Sequence, residues 1–330
     1  MNRLKWLDWA NVLAMVAVVW FHIPSAVEKP FNGIEYITVI IPFFFMAGFA
    51  YALSRRQSLP LLELGRRIGR TLLIPTCAFY VLFYLLWLVM GRTLAGDTEP
   101  WYEPLIQFVT GDFSTVLATY WFIIALMVMY LFSHTLQRIP SRWIYASCCG
   151  LFPLLTLLFP VGNTWQLYNV LVFIPFFALG DLYGQYSLYQ RSPRPMLAIG
   201  AGLLTYIVVV QEWSLDASYH SCDVLCGFVL LGIICLISHG VSGRREHAFI
   251  SILRSGALII LATQNYIIGI LRVVMDRFSG SEDYLANHFV QKPLVLLLVY
   301  LVTLPLILFT LRYMPWLAGR RRESLLYREK

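Results

Sequence analysis

Apolar residues in this chain fall into runs of about twenty, and the runs recur from one end to the other. A bilayer core of about 30 Å takes about 20 apolar residues per helix. Counting such segments between polar breaks predicts ten helices, over 6–23, 34–53, 71–91, 116–136, 143–160, 166–184, 195–211, 223–239, 256–275 and 293–312. The predicted fold class is all-α, a polytopic membrane helix bundle of about ten transmembrane helices with both termini cytoplasmic. Ten spans leave about 130 residues for connections and tails, with no room in any one place for a soluble domain. Residues 1–330 are therefore read as a single integral-membrane domain ending in a basic cytoplasmic tail from about 313 to 330. The longest connection, 92–115, carries Asp97, Glu99, Glu103 and Asp112, and its stretch 104–109 is expected along the membrane surface. No period of 20–50 residues repeats, and the two halves show no inverted repeat.

Composition agrees with the pattern. Of 330 residues, 13% are charged and 59% hydrophobic, and that charge is about half the share usual in soluble domains. A water-soluble fold would lack the polar residues to cover its surface, and the same figures exclude a disordered chain or a disulfide-stapled scaffold. The formal net charge of +7 would suggest nucleic acid in a soluble protein. In a membrane bundle it reports topology, because Lys and Arg collect in cytoplasmic connections. With the N-terminus inside, 20 of the 25 basic residues fall on the inner side, and only Lys29, Arg92, Arg272, Arg277 and Lys292 fall outside. The expected partner is thus the lipid bilayer and not a nucleic acid. Arg3 and Lys5 ahead of an apolar stretch look superficially like a signal peptide. Asp8 and Asn11 interrupt that stretch and no small-x-small cleavage site follows, so a retained first helix is expected. Six cysteines lie mostly within apolar runs, with no Cys/His ligand spacing, and no metal site is expected.

Ionisable groups inside a span are costly and mark functional positions by default. The first helix holds Asp8, Asn11 and His22. At 100° per residue, Asn11 and His22 are offset by about 20° and Asp8 and His22 by about 40°, so all three share one stripe. Fourteen residues rise about 21 Å, which puts Asp8 near the inner face and His22 near the outer. Any partner of His22 must come from another helix, and Glu35, at the outer start of the second helix, is the nearest acidic candidate by depth. Two readings of each residue stand. Asp8 either stabilises a helix N-terminus or serves chemistry; His22 is either an interfacial histidine or a base that accepts and returns a hydroxyl proton. Arg66, Arg67 and Arg70 lie directly before the third helix on the inner side. Arginine binds phosphate bidentately, so the trio suits a phosphate-bearing donor such as an acyl-coenzyme A, or else lipid headgroups and topology control. Phe43 to Gly48 ends the second helix with a small pair that permits close helix approach. Tyr120-Trp121-Phe122 reads by itself as an interfacial aromatic belt. Asp181 and Asp223 read as interfacial, and the remaining histidines as surface residues.

Taken together these motifs resemble the membrane acyltransferase-3 family, polytopic enzymes that O-acylate bacterial surface glycans. The resemblance rests on Asp8 with His22 fourteen residues on, on Phe44-Phe45-Met46-Ala47-Gly48, and on Arg66-Arg67-Ile68-Gly69-Arg70 running into Leu72-Leu73-Ile74-Pro75. Trp121-Phe122 and Pro175-Phe176-Phe177-Ala178-Leu179-Gly180 complete it, the latter being similar to a motif of the sugar O-acetylase branch. The chain departs from the pattern at Asn11, where relatives commonly carry Arg, at Ala47 for Ser, and at Gln264 near a usual His. The resemblance implies transfer of an acyl group, acetyl foremost, from cytoplasmic acyl-CoA to a hydroxyl of a cell-surface or lipid-linked glycan at the bacterial inner membrane. Acetyl-CoA would be a co-substrate and no cofactor would be resident. In that reading His22, Asp8, Asn11 and Glu35 are the catalytic set. Arg66, Arg67 and Arg70 hold the donor, and Tyr120, Trp121 and Gln264 meet the acceptor. The competing class is a transporter or exporter of a glycan or lipid-linked substrate. Transporters show interrupted helices near the midplane, whereas the distinctive polar residues here lie near the two faces.

Overall fold

A computed structural model describes residues 4–24, 34–54, 58–91, 98–111, 116–139, 141–159, 161–162, 164–187, 221–242, 248–280 and 292–320. The side chains of 34–37, 90–91, 157 and 221–226 lie outside the description. Every regular element among the described residues is helical. In chain order these are α1 (Lys5–His22), α2 (Ile34–Leu53), α3 (Leu61–Ile68), α4 (Ile74–Leu86), α5 (Glu103–Thr110) and α6 (Trp121–Leu136). They continue as α7 (Arg142–Leu158), α8 (Leu167–Gln185), α9 (Ser221–Ser242), α10 (Ala248–Ser255), α11 (Ala257–Ser279) and α12 (Lys292–Tyr313).

Five stretches among the described residues are long and apolar enough to cross a membrane: Leu61–Val89, Ala118–Leu136, Thr164–Gln185, Ala257–Ser279 and Lys292–Tyr313. The chain is a multi-pass membrane protein. Helices also form where the expected spans 6–23, 34–53, 143–160 and 223–239 were placed. Lys5, Asp8, Asn11 and His22 dilute α1, and α7 has 17 residues. The expected span 195–211 and the expected outer position of Asp223 lie outside the described residues or side chains.

The chain forms two compact units, Met1–Leu53 with Phe176–Leu308, and Ser54–Pro175 with Phe309–Lys330. In the first, α1 packs against α2, α9, α10 and α11. Trp6, Ala10 and Ala14 repeat every four residues along α1 and meet Phe45, Met46 and Phe49 of α2, Leu179 of α8, and Leu231 and Ile234 of α9. The i, i+4 spacing gives each helix one apolar ridge for its neighbour's groove. Trp6 closes the ridge, stacking on His239 at 4.5 Å and tilting against Phe49 at 5.3 Å.

The two glycine motifs singled out in the sequence turn out to be opposite sides of one contact. A Cβ on Gly48 would penetrate the carbonyl of Phe177, and one on Gly180 would penetrate the carbonyl of Phe45. Helices α2 and α8 therefore touch backbone to backbone, the small-residue packing that lipid-embedded helices favour. Asp181, expected at the interface, is instead fully buried beside this contact.

In the second unit the expected span 71–91 starts a full ten residues earlier, at Leu61. Its lower part is amphipathic, burying Leu64 and Ile68 and exposing Arg66 and Arg67. Between α3 and α4 the helix opens to π hydrogen bonding over Gly69–Leu73, with the Ile74 N–H bonded to the Gly69 carbonyl. Pro75 lacks the N–H that would close an ordinary turn on Thr71, which accounts for the loosened winding there. Helix α5, the stretch expected on the membrane surface, lies against α4. The Tyr80 hydroxyl donates to the Pro104 carbonyl, that of Tyr84 to Trp101 at 2.9 Å, and Tyr80 packs on Phe108 at 4.5 Å.

Candidate active site

The N-terminal end of the α1 stripe is an ion pair. Arg254 of α10 donates through Nη1 to Oδ1 of Asp8. Asp8 is 6% exposed, so its carboxylate depends on that guanidinium rather than on water. Arg254 reaches it because α10 stops at Gly256, where any side chain would collide with Ile307 of α12. That stop turns the chain and sets the end of α10 against α1. Nothing in the sequence pattern marked Arg254, which read there as one inner-side basic residue among 20. Its only signal was Asp8 itself, an acidic residue within a predicted span.

One turn above Asp8, the Asn11 Nδ2 donates to the Leu7 carbonyl at 2.7 Å, leaving its Oδ1 as an acceptor. Asn11, Arg254 and Tyr300 of α12 line a cavity of about 70 Å³ whose apolar walls include Met15 and Ile260. The Tyr300 hydroxyl is buried and has no hydrogen-bond partner among the described residues. The cavity thus offers one carbonyl acceptor, one cationic donor and one unspent hydroxyl.

Gln264 lies seven residues beyond Ala257, on the same stripe of α11 within about 20° and about 10 Å further along the axis. It is wholly buried, and neither amide atom finds a partner among the described residues. Each such orphan costs about 1–3 kcal/mol, so a purely packing role would favour leucine.

At the far end of α1, His22 Nδ1 lies 2.7 Å from the Val18 carbonyl. A carbonyl only accepts, so Nδ1 carries the proton and Nε2 of the neutral ring is left with its lone pair. His22 is exposed, as a group that must meet a substrate has to be. Two residues earlier, Trp20 lies beneath the Lys292 ammonium, 5.6 Å from its ring centroid, and Lys292 is buried. Lys292 was expected in an outer connection and is in fact the first residue of α12. Glu35 lies in the first turn of α2 with a side chain outside the described residues.

The structure brings Asp8, Asn11, Gln264 and His22 into the first unit. Arg66, Arg67, Arg70, Tyr120 and Trp121 belong to the second. Arg66 and Arg67 lie on α3 and Arg70 on the π stretch. All three are exposed, and no ion pair engages their guanidinium groups among the described residues. Tyr120 is completely buried, edge-on to Phe79, and Trp121 packs against Phe122 and Phe173.

A family model described as an acyltransferase domain, acyltransferase 3, matches residues 4–312. The chain belongs to the acyltransferase-3 family. No curated protein and no solved structure matches it. The match takes in α1 through almost all of α12, so both levels of the α1 stripe lie within the acyltransferase domain. The protein is a membrane acyltransferase, which decides between the two classes the sequence left in competition.

Proposed function

We propose that the protein transfers an acetyl group from cytoplasmic acetyl-CoA to a hydroxyl of a cell-surface or lipid-linked glycan, with His22 as general base. The observation that carries this is the Nδ1–H bond to Val18, which leaves the Nε2 lone pair of an exposed ring as a proton acceptor. The acceptor hydroxyl oxygen attacks the thioester carbonyl carbon while its proton passes to Nε2. The carbon–sulfur bond then breaks, and the imidazolium returns the proton to the departing thiolate. Atoms and charge balance with no further reagent.

The donor side fits the same reading. Three exposed guanidinium groups at Arg66, Arg67 and Arg70 suit the phosphates of coenzyme A. The arm between its pyrophosphate and its sulfur spans twelve bonds, about four residue lengths or about 14 Å extended. Asn11 and His22 are separated by about 16 Å along α1. An arm entering near Asn11 therefore brings its thioester close to the level of His22. Its two amides are the partners that the Asn11 Oδ1, the Tyr300 hydroxyl and the Gln264 amide lack. Arg254 supplies at this level the guanidinium that the family resemblance places at position 11, with Asp8 holding it in place.

Membranes carrying the protein, supplied with radiolabelled acetyl-CoA, should transfer label to a glycan fraction. His22→Ala and His22→Gln should abolish that transfer at unchanged protein levels. Undiminished labelling by both variants sinks the assignment of the base.

A further inference from the structure

The second unit holds a larger cavity that has no part in the acyl-transfer reading. Residues 58–61, leading into α3, and His134, Gln137, Arg138 and Arg142, at the turn between α6 and α7, enclose about 520 Å³. That volume lies within the 300–1,000 Å³ usual for small-molecule sites. Among the described residues that line it none is acidic, and two are arginines.

Arg142 supplies the decisive detail. Its side chain is half-buried, and its Nη1 has no hydrogen-bond partner among the described residues. A half-buried guanidinium on the wall of a cavity is matched by an anionic oxygen, which its fork of N–H donors binds. Arg138 stands exposed beside it as a second cation. Arg142 is also the first residue of the 17-residue α7, capped by Ser141, so the positive end of a helix adds to the same field. Leu59, Pro60 and Leu61 give the opposite wall an apolar surface. An anion attached to an apolar or ring-bearing body matches both walls, whereas a bare inorganic ion would leave the apolar wall unused.

We propose that this cavity is a phosphoester-binding site, with Arg142 and Arg138 on the phosphate oxygens and the 58–61 wall against the body of the ligand. The phosphoester chemistry is shared by two sources, a free nucleotide and the headgroup of an anionic lipid.

The full chain, purified into phosphatidylcholine nanodiscs, is titrated with adenosine 3′,5′-bisphosphate, and separately reconstituted into nanodiscs doped with phosphatidylglycerol. Affinity is read by thermophoresis and occupancy by the rise in the thermal unfolding midpoint. At least one probe should bind. Arg142→Gln should weaken it roughly tenfold, the loss of one charge-assisted contact. Arg142→Lys, which keeps the charge without the fork, should fall between. The exposed Arg138→Gln provides a second test if Arg142→Gln folds poorly. Dependence confined to the bisphosphate identifies a nucleotide ligand, and dependence confined to the doped discs identifies a lipid. The proposal is overturned if neither probe binds, or if both bind equally well to Arg138→Gln and to the folded Arg142 variants.

Discussion

Replacing Arg254 with Met should cost more stability than replacing Asp8 with Asn, although both break the same ion pair. The side chain of Asp8 is 9% exposed and that of Arg254 35%. Arg254→Met keeps the packing of the aliphatic stem but takes the guanidinium away from a nearly dry carboxylate. Breaking a buried pair in that way costs about 3–5 kcal/mol, and the partial exposure of the guanidinium places this case at the lower end, about 3 kcal/mol. Asp8→Asn instead leaves a cation with water at hand, and the expected cost is about 1 kcal/mol. With both ends neutral the double variant should be less damaged than the sum, by about 1–2 kcal/mol. Equilibrium unfolding in mixed micelles, followed by tryptophan fluorescence, measures all three. Adding Asn11→Arg to Arg254→Met supplies a new guanidinium three residues from Asp8 on the same helix face, and it should recover stability and acyl transfer together. The reasoning fails if the two single costs are equal, or if they add within about 0.5 kcal/mol.

Two further outcomes follow from the packing. Gly48→Ala and Gly180→Ala each drive a methyl into a backbone carbonyl and should cost about 3 kcal/mol or more, while Gly232→Ala on α9, with open space around it, should cost nothing or stabilise by up to about 1 kcal/mol; equal unfolding midpoints for all three would remove the backbone-to-backbone contact. Gln264→Leu should raise stability by about 1–2 kcal/mol while lowering acyl transfer at least tenfold; a stabilised variant with full transfer would return Gln264 to plain packing.

What the sequence made legible was whatever depends on one helix at a time. The positions of the long apolar helices and the single stripe of Asp8, Asn11 and His22 follow from a 100° turn and a count of residues, and the small pair at Gly48 marked a close approach without naming Gly180 as its counterpart. What stayed hidden needs two helices. Arg254 is anonymous until the stop at Gly256 aims it at Asp8. Lys292 reads as a connection residue until α12 sets it against Trp20. The start of the third span was misplaced by ten residues because α3 is amphipathic, so its exposed Arg66 and Arg67 break the apolar run without breaking the helix. Asp181 reads as interfacial for a similar reason, since only the approach of α2 at Gly48 encloses it.

A bundle that needed only to fold would not retain the interior described here. A Leu at 264 and a Phe at 300 would fill similar volume and remove three orphaned polar atoms, Gln264 Nε2, Gln264 Oε1 and the Tyr300 hydroxyl. At about 1–3 kcal/mol each, the summed penalty is a sizeable fraction of a domain's net stability of 5–15 kcal/mol. Such groups cost least when a polar chain passes between them, and they cost most when the passage is empty. Their arrangement carries direction as well as cost: Asn11 and Tyr300 share a cavity, Gln264 lies about 10 Å further along α11, and His22 ends α1. A polar relay that ran toward the lipid would gain nothing from this order. The arm proposed above, entering at the Asp8–Arg254 end of α1 and running toward His22, would meet these groups in that order.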